Sequence, residues 1–262
     1  MTFSGFSVDI VEGIARLTLN DPARGNPIDG SFCQSLCEAA IQLSENPAVR
    51  CLLLSAEGKA FSYGGDISAF VSELDALPLN IKRWTAPLHS AVVRLQRMNA
   101  PIVSAVQGIC AGGMSGLVAG SDIVIAADNA RFAAAYAGIG FSCDAGSSVM
   151  YSRRMGLARA RKFLLLNETL TASQALGAGL VDEVVAADQL HARAMEVASQ
   201  LALGPPLAIG ETRRLLLSAQ DSSLESQLEL EAQALARIAS TEDAREGLTA
   251  FAAKRKPIFK GR

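Results

Sequence analysis

Apolar and polar positions alternate over residues 6–10 and again over 14–19, with Glu12-Gly13 between them, a pattern that predicts a β-hairpin at the start of the chain. Residues 20–27 are rich in Asn, Asp, Pro and Gly and read as a loop, after which Asp29 or Ser31 is placed to cap a helix reaching about residue 44. The apolar run 51–55 predicts a short buried strand. Residues 79–84 fit no single period. From Pro87 onward, Leu88, Ala91, Val92, Leu95 and Met98 recur at three and four positions, so a helix is expected to open at that proline. Strands follow at 101–106, 122–127 and 130–134, with a small-residue helix at 112–120. From about residue 148 the pattern is helical, over 157–166, 171–178, 188–203, 206–218, 224–238 and 241–254. Residues 181–185 are the only strand-like interruption there. Strand–helix alternation followed by helices predicts an α/β fold, with a core over 1–200 and a helical C-terminal region over 201–262.

A chain of 262 residues that is 50% hydrophobic can bury a full core. Its formal net charge of -2 argues against a nucleic-acid binder. The five cysteines form no CxxC pair and suggest no disulfide framework. No basic leader and no apolar run of membrane-spanning length is present, so a cytoplasmic protein without a membrane partner is expected. No group of residues has metal-ligand spacing, and no metal is expected.

Two glycine-bearing loops carry the candidate chemistry, Gly58-Lys59-Ala60-Phe61-Ser62-Tyr63-Gly64-Gly65-Asp66-Ile67 and Gly108-Ile109-Cys110-Ala111-Gly112-Gly113-Met114-Ser115-Gly116-Leu117. Each follows an apolar run and leads into a helix-compatible pattern, so each can aim free backbone N–H groups into a shared cleft. One donor per loop makes a site for negative charge growing on a carbonyl oxygen. Asp144 is the carboxylate to place beside them, although the same residue reads as a loop or helix cap before Ala145-Gly146.

These motifs occur in order along nearly the whole chain. Leu19-Asn20-Asp21-Pro22-Ala23-Arg24-Gly25-Asn26, the two glycine loops, Ser121-Asp122-Ile123, Phe132, Gly140 and the tail over 251–257 together resemble the crotonase (enoyl-CoA hydratase/isomerase) superfamily. The resemblance implies a spiral core of repeated ββα units whose C-terminal helices pack at subunit contacts. It implies a homo-trimer or dimer of trimers acting on an acyl-CoA thioester, with coenzyme A carried as part of the substrate and no separate cofactor. The two backbone donors it assigns fall on Tyr63 and Gly113. The two hydratase glutamates of the family correspond here to Gly116 and Tyr136, which makes ordinary hydration doubtful. Asp144 instead matches the acidic position of isomerase members, where one carboxylate moves a proton from Cα to Cγ of the acyl chain.

The acyl pocket implied by the resemblance includes His89, Gly116, Tyr136 and Phe141, with packing also a sufficient role for Tyr136 and a helix surface for His89. Arg24, Lys59, Ala60, Phe61, Ser62, Asp66, Ile67, Lys254 and Lys256 are implied along the coenzyme A moiety. Asp66 has local loop structure as its competing role. Double-bond isomerisation of an enoyl-CoA, or of a related unsaturated or ring CoA ester, is the leading expectation. Thioester hydrolysis or dehalogenation with Asp144 as nucleophile, hydration with non-standard acid–base residues, and non-catalytic acyl-CoA binding are the alternatives.

Overall fold

The alternating N-terminal pattern forms the hairpin it predicts. In the computed structural model, which describes all 262 residues, β1 (Thr2–Phe3), β2 (Phe6–Val11) and β3 (Ile14–Leu19) pair antiparallel. From β3 the sheet turns parallel through β4 (Cys51–Ala56), β5 (Ile102–Val106), β7 (Ile123–Ala127) and β10 (Glu183–Val185). A second, three-stranded sheet joins β6 (Ile109–Ala111), β8 (Arg131–Ala133) and β9 (Thr169–Thr171).

The parallel strands are apolar on both faces because both faces are covered. In β5, Ile102 and Val106 enter the main core, while Val103 and Ala105 face the other way. On the main face lie α1 (Gly30–Glu45) and α3 (Leu77–Arg97). On the other, α8 (Leu190–Ala202) lays Leu190, Ala194, Ala198 and Ala202 against the sheet, a four-residue spacing of small side chains that lets helix and strands approach closely. The remaining helices are α2 (Ile67–Ser72), α4 (Gly112–Ala119), α5 (Ser147–Met155), α6 (Leu157–Leu165), α7 (Ala172–Gly177), α9 (Pro206–Ser218), α10 (Leu224–Ala239) and α11 (Glu242–Ala252). None is long and apolar enough to cross a membrane.

Two local expectations are corrected. Pro87 does not open α3, which begins ten residues earlier at Leu77 and continues through the proline. Its inward stripe of Leu77, Ile81, Trp84, Leu88 and Leu95 keeps helical spacing on both sides of Pro87, and that packing outweighs the roughly 3 kcal/mol an interior proline costs. The second concerns β9, a strand where the sequence reads only helix. Thr171 ends this strand and also caps α7 through a reciprocal pair with Gln174, so one residue serves both elements.

The C-terminal helices are tied to the sheet by a nearly buried guanidinium. Arg213 on α9, 6% exposed, donates to both Asp122 oxygens at 2.9 Å and to the carbonyls of Met98 and Leu95. Asp122 also accepts the Ile102 N–H at 2.7 Å, so one carboxylate fixes the start of β5, the strand β7 that follows it, and α9. Replacing Arg213 with alanine removes the donor from two buried carbonyls and from a partly exposed carboxylate that keeps the Ile102 N–H, and denaturant unfolding should show a loss of about 2 kcal/mol. Arg213→Lys should lie between, since it keeps the charge without the fork.

Candidate active site

A cleft of about 500 Å³ opens between the two glycine loops, α1, α2, α3 and the segment that joins β8 to α5. Ile28, Cys33, Ile81 and Leu88 make part of its apolar lining. Another wall is a row of rings: Phe70 lies 5.8 Å from Trp84 and 6.0 Å from Phe141, with interplanar angles of 16° and 20°. Asp144 is the only carboxylate in the lining, and no lysine, arginine or histidine joins it.

Accounting for the amides of residues 62–66, the part of the first loop that reaches the cleft, locates a free donor there. Ser62 N–H donates to the Ile109 carbonyl at 3.0 Å, and Tyr63 N–H to the Gly25 carbonyl at 3.0 Å. Gly64 N–H reaches Ser62 Oγ at 3.0 Å, and Asp66 N–H reaches the Ile28 carbonyl at 3.4 Å. Gly65 N–H has no acceptor in the chain, and Gly65 lines the cleft. The Tyr63 amide is therefore already spent, and the amide left unpaired beside the cleft is two residues on, at Gly65. Tyr63 lays its ring over Gly25, leaves the side chain 63% exposed, and spends its amide on that neighbouring loop.

On the second loop, Gly113 stands in the first turn of α4, where an N–H has no intrahelical acceptor. Gly64 and Gly112 let the loops meet. They take φ of 90° and 55°, and a Cβ on Gly64 would come within 3.0 Å of the Ala111 carbonyl oxygen. Asn26, which the sequence shows only as a loop residue, is the clasp. Only 2% exposed, it donates to the carbonyls of Glu57, Ala60 and Phe61 at 3.1, 3.3 and 3.0 Å, and its own carbonyl accepts Ser62 Oγ at 2.7 Å. Its burial comes from contacts with residues over thirty positions away, which no local pattern signals.

Asp144 is half-buried and sits against the second loop, with Oδ1 3.4 Å from the point a Gly113 Cβ would occupy. Tyr136 Oη donates to that same Oδ1 at 2.8 Å and lies 3.2 Å from Ser147 Oγ. Packing alone therefore understates Tyr136. Burial first, then the Asp144 charge, pushes its phenol far above the ordinary range, so it stays a protonated donor. Burial likewise pushes the Cys33 thiol up to about 12, which leaves it an inert wall.

Phe141 and Ile67 line the cleft. His89 does not: Leu88 faces inward, and the next residue round α3 turns out to a surface hollow shared with Glu45, Arg94 and Arg97. Gly116 is also outside the cleft, against Ser147 and an inner apolar space. Arg24 is held by Asp21, Asp29 and Asp66 at 3.1, 2.9 and 2.6 Å, so its charge is already answered. Asp66 caps α2, and the Ala69 N–H followed by Arg24 holds its carboxyl below the usual range. Lys59 borders a separate hollow with Gln107, Asn129 and His191. Phe61 and Ser62 are fully buried, and Ala60 offers its carbonyl to Asn26. Lys254 and Lys256 are exposed in the tail.

Residues 9–262 match the family described as enoyl-CoA hydratase/isomerase. The chain is 34% identical over 257 residues to the 1,2-epoxyphenylacetyl-CoA isomerase of Escherichia coli K12, with 97% of each chain covered. It is 32% identical over 249 residues to the 2,3-dehydroadipyl-CoA hydratase of the same strain, with 94% of each covered. The crystal structure of an enoyl-CoA hydratase from Polaromonas sp. JS666 superposes with a TM-score of 0.92 at 27% identity, covering 97% of this chain and 99% of that one.

Two of the three tyrosines, Tyr136 and Tyr151, have phenols raised mainly by burial. The unfolded chain ionises them near pH 10 and the folded one does not, so their stabilisation is complete below about pH 10 and is lost as pH rises above it. An ultraviolet titration should show both silent until alkaline unfolding. At Gly116, a Cβ would collide with Ser147 Oγ and come within 3.3 Å of Ser147 Cα. Gly116→Glu should therefore lower the thermal midpoint without conferring hydration, and retained stability with hydroxyacyl product would overturn that reading.

Proposed function

This chain belongs to the enoyl-CoA hydratase/isomerase family, and from that premise we propose that it is an acyl-CoA isomerase that moves a double bond with Asp144 as sole proton carrier. The substrate is a 3-enoyl-CoA, converted to the trans-2 isomer, or a related unsaturated or ring CoA ester. The observation that carries this reading is a cleft with one carboxylate and two backbone donors, at Gly65 and Gly113.

The thioester oxygen sits between those two N–H groups. Asp144 removes the Cα proton, and the electron pair left behind spreads through the thioester and the neighbouring double bond as a dienolate. The two amides answer the charge on oxygen, an arrangement in which each donor is worth about 10² in rate. Asp144 then returns the proton at Cγ, so nothing is consumed and no second base is needed. Addition of water would require a second acid–base group. Gly116 and Tyr136 hold the two positions where the resemblance expects glutamates, and neither supplies one.

Assembly as a trimer or dimer of trimers belongs to the same reading. It is supported by the large apolar side chains that the C-terminal helices leave exposed, including Leu216, Leu235, Leu248 and Phe251 at 68, 71, 73 and 86%.

Incubation with 3-hexenoyl-CoA and, separately, trans-2-hexenoyl-CoA, with products resolved by chromatography and mass, tests the chemistry. Interconversion should fall by about 10³-fold in Asp144→Asn. A 3-hydroxyacyl product would replace isomerisation with hydration, and free CoA would make Asp144 a hydrolytic nucleophile.

A further inference from the structure

A lone carboxylate shuttle has a geometric weakness. The terminal torsion of an aspartate is broad and twofold, so an untethered Asp144 presents either oxygen and swings away from the substrate between the two transfers. The cleft provides no cation to hold it. The titratable groups around it are Tyr136 from the β8–α5 segment, Cys33 from α1, its neighbour Cys143, and Tyr151 behind Tyr136. Only Tyr136 hydrogen-bonds the carboxylate, at 2.8 Å on Oδ1, and Oδ2 accepts nothing from the chain.

The tyrosine is itself held. Because its hydroxyl proton goes to Asp144, Ser147 Oγ, 3.2 Å away, is the donor to the phenol oxygen. Ser147 is fully buried and fills the space that any side chain at residue 116 would take. The order Ser147 to Tyr136 to Asp144 is thus fixed by packing at one end and by hydrogen bonds throughout. A phenol is well matched to such a tether, because it donates one directed hydrogen bond and leaves the other carboxylate oxygen free.

We propose that Tyr136, backed by Ser147, is a positioning residue that ties down Asp144 by Oδ1 and leaves Oδ2 as the single oxygen that carries the proton from Cα to Cγ. This rests on the isomerase reading. The C–H bond at Cα breaks to Oδ2, its electron pair enters the dienolate, and the same proton forms the new C–H bond at Cγ. Tyr136 keeps its own proton throughout.

The test is Tyr136→Phe, which keeps the ring, beside Ser147→Ala and Asp144→Asn, with 3-hexenoyl-CoA as substrate in deuterated water. Tyr136→Phe should lower kcat about 10²-fold with KM nearly unchanged. The share of product carrying solvent deuterium should rise, and Ser147→Ala should change both quantities in the same direction by less. A second readout needs no turnover: the Asp144 carboxylate band, isolated as the infrared difference between the wild type and Asp144→Asn, should shift in Tyr136→Phe.

An unmoved band and deuterium share would make Tyr136 a wall only and overturn the proposal, even if kcat fell. If the wild type isomerises no enoyl-CoA, the functional reading falls. The infrared band then decides by itself whether Tyr136 holds Asp144.

Discussion

Buried amides almost always find an acceptor, and in the loop between β4 and α2 the amides of residues 62, 63, 64 and 66 do while that of Gly65 does not. Keeping that one N–H unpaired requires the rest of the loop to be fixed, because a slack loop would turn the amide toward any nearby carbonyl. Asn26 supplies much of that fixity by bonding three carbonyls of the loop from below. The second loop meets it through the Gly64–Gly112 approach, where there is no room for side chains. The sheet carries both loops at the ends of neighbouring parallel strands, β4 and β5.

The cleft's electrostatics follow from what is left out of it. With no cation in the lining, the one hydrogen bond the Asp144 carboxylate accepts comes from a neutral phenol. The positive charges of the neighbouring loops are spent elsewhere: Lys59 borders a separate hollow, and Arg24 is bound to three carboxylates, two of which cap α1 and α2. That ion-pair knot pins the entry to both helices. Its exposed guanidinium adds modestly to stability by itself, since surface ion pairs are worth about 1 kcal/mol or less.

The misassigned donor shows how far a motif can be read. The first glycine loop is plain in the sequence, and so is the need for one free amide in it. Tyr63 and Gly65 are only two positions apart, and nothing local says which amide is spent. The partner that decides it is Gly25, 38 residues back. Tyr136 is a similar case, a buried ring by composition until the fold sets its hydroxyl on Asp144. His89 follows Leu88 but lies off the stripe of Leu88, Ala91, Val92 and Leu95, and the fold gives it the helix-surface place that this spacing leaves open.

The sequence by itself determined the hairpin, the strand–helix alternation, the order of the two loops and which carboxylate stands near them in the chain. All of these rest on period, turn residues and spacing within short windows, which the chain carries wherever it is placed. Tertiary structure decided which amide stays free, which hydroxyl meets Asp144, and which neighbour fills the space beside Gly116. Each of those is a competition for one acceptor or one volume. Its outcome depends on residues that only the folded chain brings together, such as Gly25 with Tyr63 and Ser147 with Gly116.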